Sequence, residues 1–148
     1  MTETTGSTTI DIAASPDAVY GLLTDLDRVG ELSPECFKAE WQDGATSAAV
    51  GAKFVGHNKA GENEWQAGCE VVAATPGEEW AFKVPADDGR DTVWRYEIAA
   101  TDSGCTVTES FDAPILADER FQKMNRHEML LGNISGTLTN LKAVAESS

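Results

Sequence analysis

Alternating apolar and polar positions run through the middle of the chain. The first such segment, Thr8–Ala13, has the period of two that is typical of a strand with one buried face. Between Cys36 and Asp112 the same period returns in short segments, separated by turn signals such as Pro76-Gly77 and Asp87–Gly89. The pattern predicts one N-terminal strand and about six later strands, joined by tight turns into an antiparallel sheet.

Two short helices are predicted between the first strand and the rest of the sheet. Ser15 can cap a helix, and Pro16 fits its first position, where no backbone N–H is needed. This helix should run through Leu23. Asp25 then opens a second short helix, which ends at Ser33 because the residue before a proline avoids the helical conformation.

One long helix is predicted towards the C-terminus, from about Asp118 to Ala145. At 1.5 Å per residue it would measure about 40 Å and could lie across a whole sheet. Its apolar stripe consists of Met124, His127, Leu131, Ile134, Leu138, Leu141 and Ala145. Since a sheet and a helix each have one apolar face to cover, we expect residues 1–148 to form one α+β domain, with a curved sheet around the helix.

Several stretches of the sequence resemble a known family. They are Ser15–Tyr20 with Leu23 and Asp25, then Glu31–Pro34, Trp94–Glu97 and Gly104–Ser110. Together with the order of elements, they resemble the helix-grip fold of the START and Bet v 1-like (SRPBCC) superfamily, in its bacterial polyketide cyclase/dehydrase and lipid transport branch. The resemblance covers nearly the whole chain. It implies a curved antiparallel sheet wrapped around a long C-terminal helix, and either a carrier of lipids or polyketide-like compounds or an aromatase/cyclase.

The charge of the chain narrows the range of partners. Its 25 acidic and 11 basic residues give a net charge of -14. Nucleic acids and anionic membrane surfaces would be repelled, because binding to either depends on Lys and Arg. No apolar run is long enough to span a membrane, and the polar N-terminal residues do not form a signal peptide, so we expect a cytoplasmic protein. A monomer and a homodimer paired through a sheet edge are both compatible with the sequence.

The residue types that bind metals and cofactors are sparse. Cys36, Cys69 and Cys105 are widely spaced without a CxxC pair, which favours small buried side chains over a disulfide framework. His57 and His127 are too few and too far apart to predict a zinc site. No phosphate-binding glycine loop is present in the sequence. The prediction is therefore a protein with no metal and no cofactor.

A group of aromatic residues occupies period-two positions in neighbouring strands. They either fill an ordinary core or line a pocket for an apolar ligand, since such pockets are mostly apolar with a few polar groups. On the second interpretation, Met124, His127 and Leu131 of the final helix line the same pocket. The candidate ligand-binding residues are Trp65, Trp80, Phe82, Trp94, Tyr96, Glu109, Met124, His127 and Leu131.

Glu109 is the most informative single residue. It shares the parity of Val107 and Phe111, so strict alternation turns its carboxyl group inward, whereas a bulge or an edge position would leave it in water. A carboxyl group buried in this way has a raised pKa and can act as a polar anchor or a general acid/base. His127 is either a proton-exchanging group or a satisfied core histidine, and Tyr96 could contact a ligand through its hydroxyl.

Three functions remain open on the sequence. The first is binding, with or without transport, of a hydrophobic small molecule such as a lipid or polyketide-like compound. The second is a polyketide aromatase/cyclase-type enzyme that uses Glu109, His127 or Tyr96 for proton transfer. The third is an interaction module with a filled core and no cavity.

Overall fold

A computed structural model describes residues 3–147; Met1, Thr2 and Ser148 of the expected domain lie outside the described residues. Within these described residues, seven antiparallel strands form one sheet in the order β1-β7-β6-β5-β4-β3-β2. They are β1 (Thr5–Ile12), β2 (Cys36–Gln42), β3 (Lys53–Ala60), β4 (Asn63–Thr75), β5 (Glu79–Val84), β6 (Thr92–Thr101) and β7 (Gly104–Asp112). The predicted number of strands is confirmed, and β1 pairs with β7 rather than with its neighbour in sequence.

Two short helices follow β1, as predicted. The hydroxyl of Ser15 accepts a hydrogen bond from the amide of Ala18, which caps helix α1 (Pro16–Leu23). The carboxylate of Asp25 caps a 3-10 turn, Leu26–Arg28, which continues into helix α2 (Val29–Leu32). These elements pack beside β2 and the C-terminal helix, and so close one side of the sheet.

The C-terminal helix α4 (Arg126–Glu146) lies against the inner face of the sheet, chiefly over β1. Its buried residues are Leu130, Ile134, Thr137, Leu138, Leu141 and Ala145. Leu138 and Leu141 pack with Val71, Ile98 and Val107 in the main apolar core. The arrangement is the expected helix-grip fold, a curved antiparallel sheet held around one long helix.

The predicted helix from Asp118 to Ala145 is broken in the structure. A 3-10 turn (Pro114–Ala117) and helix α3 (Glu119–Lys123) precede α4. Asn125 adopts the left-handed conformation with φ 53° and ψ 40°, which ends the α3 direction and starts α4. Asparagine tolerates this conformation better than most residues, so the break has a local cause that helical spacing does not reveal.

The alternation predicted for the first residues of β2 is also wrong at one point. A β-bulge shifts the pairing of β2 with β3 between Cys36 and Lys38. An extra residue reverses the face on which the preceding side chains lie. Phe37 is therefore exposed, whereas Ala39 keeps its buried position.

The connection between β3 and β4 is a tight turn. Strand β3 continues to Ala60 and β4 begins at Asn63, so only Gly61 and Glu62 connect the two strands.

Candidate functional site

A cavity of about 580 Å³ lies between the inner face of the sheet and the helices. The space between these layers is therefore not a filled core, as the third function considered from the sequence would require. Side chains of α1, α2, α4 and of strands β2 to β7 form its wall, and most of them are apolar. The apolar lining includes Leu23, Leu26, Val29, Leu32, Ala39, Phe54, Trp80, Phe82, Trp94, Leu130 and Ile134. A volume of this size is typical of sites for small organic molecules.

The floor of the cavity can be located along three strands. Cys69 on β4, Tyr96 on β6 and Glu109 on β7 line the cavity. The next residues on the same face of these strands, Val71, Ile98 and Val107, do not line the cavity and belong, with Cys69 and Tyr96, to the packed core. Tyr96 and Glu109 are direct cross-strand partners, so their side chains stand side by side at this floor.

Glu109 points inward, as its parity predicted, and is 2% exposed. Burial raises the pKa of its carboxyl group to about 8, and a hydrogen bond with the Tyr96 hydroxyl partly offsets that rise. Its Oε1 atom is buried and has no hydrogen-bond partner among the described residues. At neutral pH this carboxyl group is therefore mostly protonated, and it offers the cavity an uncharged donor and acceptor.

The other titratable groups near the floor also stay uncharged. Burial, together with the neighbouring Glu109, raises the pKa of Tyr96 well above its ordinary value. Burial raises the pKa of Cys69 to about 12 and raises that of Cys36 as well. Both thiols are free, as expected, and neither has the thiolate character that a nucleophilic cysteine needs.

A charged cluster, Glu35 with Arg126 and Asn133, forms another part of the wall. The guanidinium of Arg126 donates two hydrogen bonds to the Glu35 carboxylate, at 2.9 and 2.6 Å. Asn133 donates a third at 2.9 Å. Only 14% of the Arg126 side chain and 13% of the Glu35 side chain are exposed. The cluster thereby ties α4 to the loop between α2 and β2, and each charge is compensated within the cluster.

The mouth of the cavity is formed by Trp65, Met124 and Met129. These lining residues are 36%, 50% and 37% exposed, so the apolar wall continues to the surface there. The guanidinium of Arg126 lies 5.4 Å from the centre of the Trp65 ring. On another side, Arg90 donates two hydrogen bonds to Asp118 at the start of α3. The mouth thus lies between the β3–β4 hairpin and the junction of α3 with α4.

The structure brings most of the candidate ligand-binding residues to this one cavity. The five strand aromatics, Glu109 and Met124 all line it. Trp80 and Tyr96 also belong to the packed core, so the two interpretations of the aromatics overlap at these two residues. Whether these residues contact a ligand stays a prediction.

His127 and Leu131 lie outside the cavity wall. The His127 Nε2 atom is 2.8 Å from the carbonyl oxygen of Thr5, and its ring packs edge-on against Phe111. Leu131 packs in the second apolar cluster, close to Gly6 of β1. These two residues occupy the flank of α4 that covers the edge strand β1, so their expected place in the pocket is wrong.

Several residues of the wall were missed by the sequence interpretation. Glu35, Arg126, Asn133 and Thr137 were overlooked because charged and polar side chains normally mark the solvent face of a helix or a loop. A signal was present in the sequence, since Arg126, Asn133 and Thr137 recur at helical spacing beside the apolar stripe.

The described residues contain no helix long and apolar enough to cross a membrane. Within the same residues, no group of three or more His, Cys, Asp or Glu side chains is arranged to hold a metal ion.

The fold and the cavity together define a helix-grip protein with an internal apolar pocket. The chain belongs to the polyketide cyclase / dehydrase and lipid transport family, whose model matches residues 3–146. No curated protein sequence matches it significantly.

Solved structures share this fold. The di-domain ARO/CYC StfQ from the steffimycin biosynthetic pathway is 16% identical, with a TM-score of 0.75 over 97% of this chain and 51% of its own. The chain therefore spans about half the length of that protein. MLL2253 from Mesorhizobium loti is 14% identical, with a TM-score of 0.73 and coverage of 97% and 98%. The Polyketide_cyc-like protein Cgl2372 from Corynebacterium glutamicum is 27% identical, with a TM-score of 0.64 and coverage of 95% and 90%.

Proposed function

We propose that this protein binds a hydrophobic small molecule, such as a lipid or polyketide-like compound, in the cavity between the sheet and α4, either to hold it or to transport it. The observation that carries the proposal is the cavity of about 580 Å³ with its mostly apolar wall. Burial of apolar ligand surface against such a wall supplies about 25 cal/mol per Å² before the costs of association. The family description, which names both polyketide chemistry and lipid transport, is consistent with this ligand class.

Native mass spectrometry of the freshly purified protein, with organic extraction of whatever co-purifies, tests this proposal. Ala67→Phe is the informative variant, because Ala67 lines the cavity opposite Gly56 and a phenyl ring there would occupy ligand space. Ala99→Phe is the matched control, since Ala99 is exposed and outside the cavity wall. We expect a bound apolar compound in the wild type and in Ala99→Phe, and much less of it in Ala67→Phe.

The binding function would be contradicted if the wild type carried no co-purified compound and also showed no thermal shift with a broad panel of apolar compounds. Equal occupancy in Ala67→Phe and Ala99→Phe would show that the ligand binds to another part of the molecule.

The alternative is a polyketide aromatase/cyclase-type enzyme, and one observation favours it. Glu109 has a pKa of about 8 and lies beside Tyr96 at the cavity floor, so the pair can give a proton to, or take one from, a bound carbonyl compound near neutral pH. Of the three candidate catalytic residues, these two line the cavity and His127 does not.

Glu109→Gln separates the carrier from the enzyme. The amide keeps the shape and the hydrogen bonding of the side chain but cannot exchange a proton in the same pH range. A carrier keeps its ligand affinity in this variant. An enzyme keeps binding but loses turnover, which mass spectrometry of the extracted compound would detect as accumulation of unconverted material. Glu97→Gln, on the outer face of β6, is the control.

A further inference from the structure

The floor of the cavity combines two features that point to the chemistry of the ligand. Glu109 Oε1 is a buried polar atom without a hydrogen-bond partner among the described residues, and it belongs to a side chain that lines the cavity. Buried polar atoms are nearly always satisfied, so an orphan atom on a side chain that lines a cavity of this volume indicates a group that is supplied from outside the chain.

The charged residues around the floor limit the charge that the externally supplied group can carry. The ionisable Asp, Glu, Lys, Arg and His side chains in the described wall are Glu35, Glu109 and Arg126, and Arg126 is already paired with Glu35. The Arg126 guanidinium also lies over the Trp65 ring at the mouth of the cavity. An anionic group next to Glu109 would therefore lose its hydration without gaining a cation, which is unfavourable.

Hydrogen-bond donors and acceptors at the floor fit an uncharged oxygen. A protonated carboxyl group donates through its O–H and accepts through its other oxygen, and the Tyr96 hydroxyl stands beside it. A ligand hydroxyl or carbonyl can use these groups, whereas a pure hydrocarbon leaves the orphan oxygen unsatisfied.

We propose that Glu109 is the specificity-determining residue of the cavity and that it selects ligands presenting an uncharged hydroxyl or carbonyl group to the floor, over hydrocarbons and over carboxylates. This inference rests on the proposed binding function, because it concerns the same cavity. The apolar wall supplies affinity for any ligand of suitable size. The contact with Glu109 sets the orientation and distinguishes between ligands of equal size.

Three probes of the same ring system test the selection: naphthalene, 2-naphthol and 2-naphthoate, with dissociation constants from equilibrium dialysis at about pH 6.5, which lies below the pKa of Glu109. For the wild type we expect 2-naphthol to bind about tenfold more tightly than naphthalene, equivalent to about 1.4 kcal/mol, and more tightly than 2-naphthoate. Glu109→Met should remove the preference for 2-naphthol over naphthalene, while Glu109→Gln, with its amide donor and acceptor, should keep most of it.

Glu97→Met is the matched control, because Glu97 is exposed on the outer face of β6, and its preference should equal that of the wild type. Retention of the full tenfold preference in Glu109→Met would overturn the proposal. Equal affinities of the wild type for the three probes, or tightest binding of 2-naphthoate, would also overturn the proposed selectivity. Either result would still support the proposed binding function. Failure of all three probes to bind overturns both.

An infrared measurement on the wild type does not depend on the folding of any variant. The carbonyl stretching band of bound 2-acetonaphthone should shift to lower frequency than in hexane, because a hydrogen bond from the Glu109 carboxyl group weakens the C=O bond. A band at the hexane position would contradict the contact.

Discussion

Glu109 shows how one residue can serve a site and weaken the fold. Its carboxyl group has a pKa of about 8 in the folded protein, against an ordinary value of 4.5. Between these two pH values the unfolded chain releases a proton that the folded chain keeps. Folding stability therefore falls as the pH rises through this window, and the contribution of Glu109 is fully favourable only below about pH 4.5.

We expect Glu109→Gln to be increasingly more stable than the wild type as the pH rises from about 4.5 to about 8. The gain should reach at most about 5 kcal/mol, since each unit of pKa shift corresponds to about 1.4 kcal/mol. Tyr96, the titratable neighbour of Glu109, stays protonated throughout this range because its pKa is raised. Urea unfolding at several pH values measures the difference between the two proteins.

The control for this prediction is Glu97→Gln, an exposed carboxyl group on the outer face, whose difference from the wild type should change little with pH. A constant difference between wild type and Glu109→Gln over the whole window would mean that Glu109 is not buried in its neutral form.

Within the final helix, two glycines have opposite structural roles. A Cβ atom at Gly136 would lie 2.8 Å from Cγ of Pro34, so α4 approaches the loop after α2 closely at this point. Gly132 is exposed, and a Cβ atom there would meet no described atom within 4 Å. The sequence alone does not distinguish the two positions, because both lie inside the same helical pattern.

We predict that Gly132→Ala stabilises the protein by about 1 kcal/mol, because alanine favours the helix and nothing opposes its methyl group. Gly136→Ala should destabilise it by about 1 kcal/mol or more, because the rigid proline ring must move and the helix loses contact with it. Thermal unfolding of the two variants beside the wild type measures both effects. Equal stabilisation by both substitutions would contradict the close approach of α4 to Pro34.

The order of elements was largely predictable from the sequence, since periods of two and 3.6 are local consequences of which face is buried. The predictions failed where a single residue changed the backbone direction. Asn125 divides the expected helix into α3 and α4, and the bulge between Cys36 and Lys38 turns Phe37 outward. Neither event changes the average pattern of its segment, so periodicity could not reveal it.

At the scale of the whole molecule, the net charge of -14 opposes the compact state. Like charges are closer together in the folded protein than in the unfolded chain, and dissolved salt screens their repulsion. The screening length falls from about 30 Å at 0.01 M salt to about 8 Å at 0.15 M, which is less than the span of the sheet.

The melting temperature should therefore rise by a few degrees between about 0.01 M and 0.15 M NaCl at pH 7, equivalent to roughly 1 kcal/mol. The rise should shrink as the pH approaches 4.3, where the net charge of the chain vanishes. Differential scanning calorimetry measures both trends. A melting temperature that is independent of salt at pH 7 would show that the acidic residues are already compensated locally.

The sequence by itself determined the fold class, the number of strands and the caps at Ser15 and Asp25, because each follows from local alternation or from the chemistry of a few consecutive residues. The direction of Glu109 stayed open, because alternation turns it inward only where no bulge or edge position intervenes. Only the tertiary structure decided which side chains share the cavity. Arg126 reaches Glu35 across 91 positions, and His127, its neighbour in sequence, turns to the carbonyl of Thr5 instead. The strand order, the break at Asn125 and the approach of α4 to Pro34 set these long-range contacts, and no pattern along the chain encodes them separately.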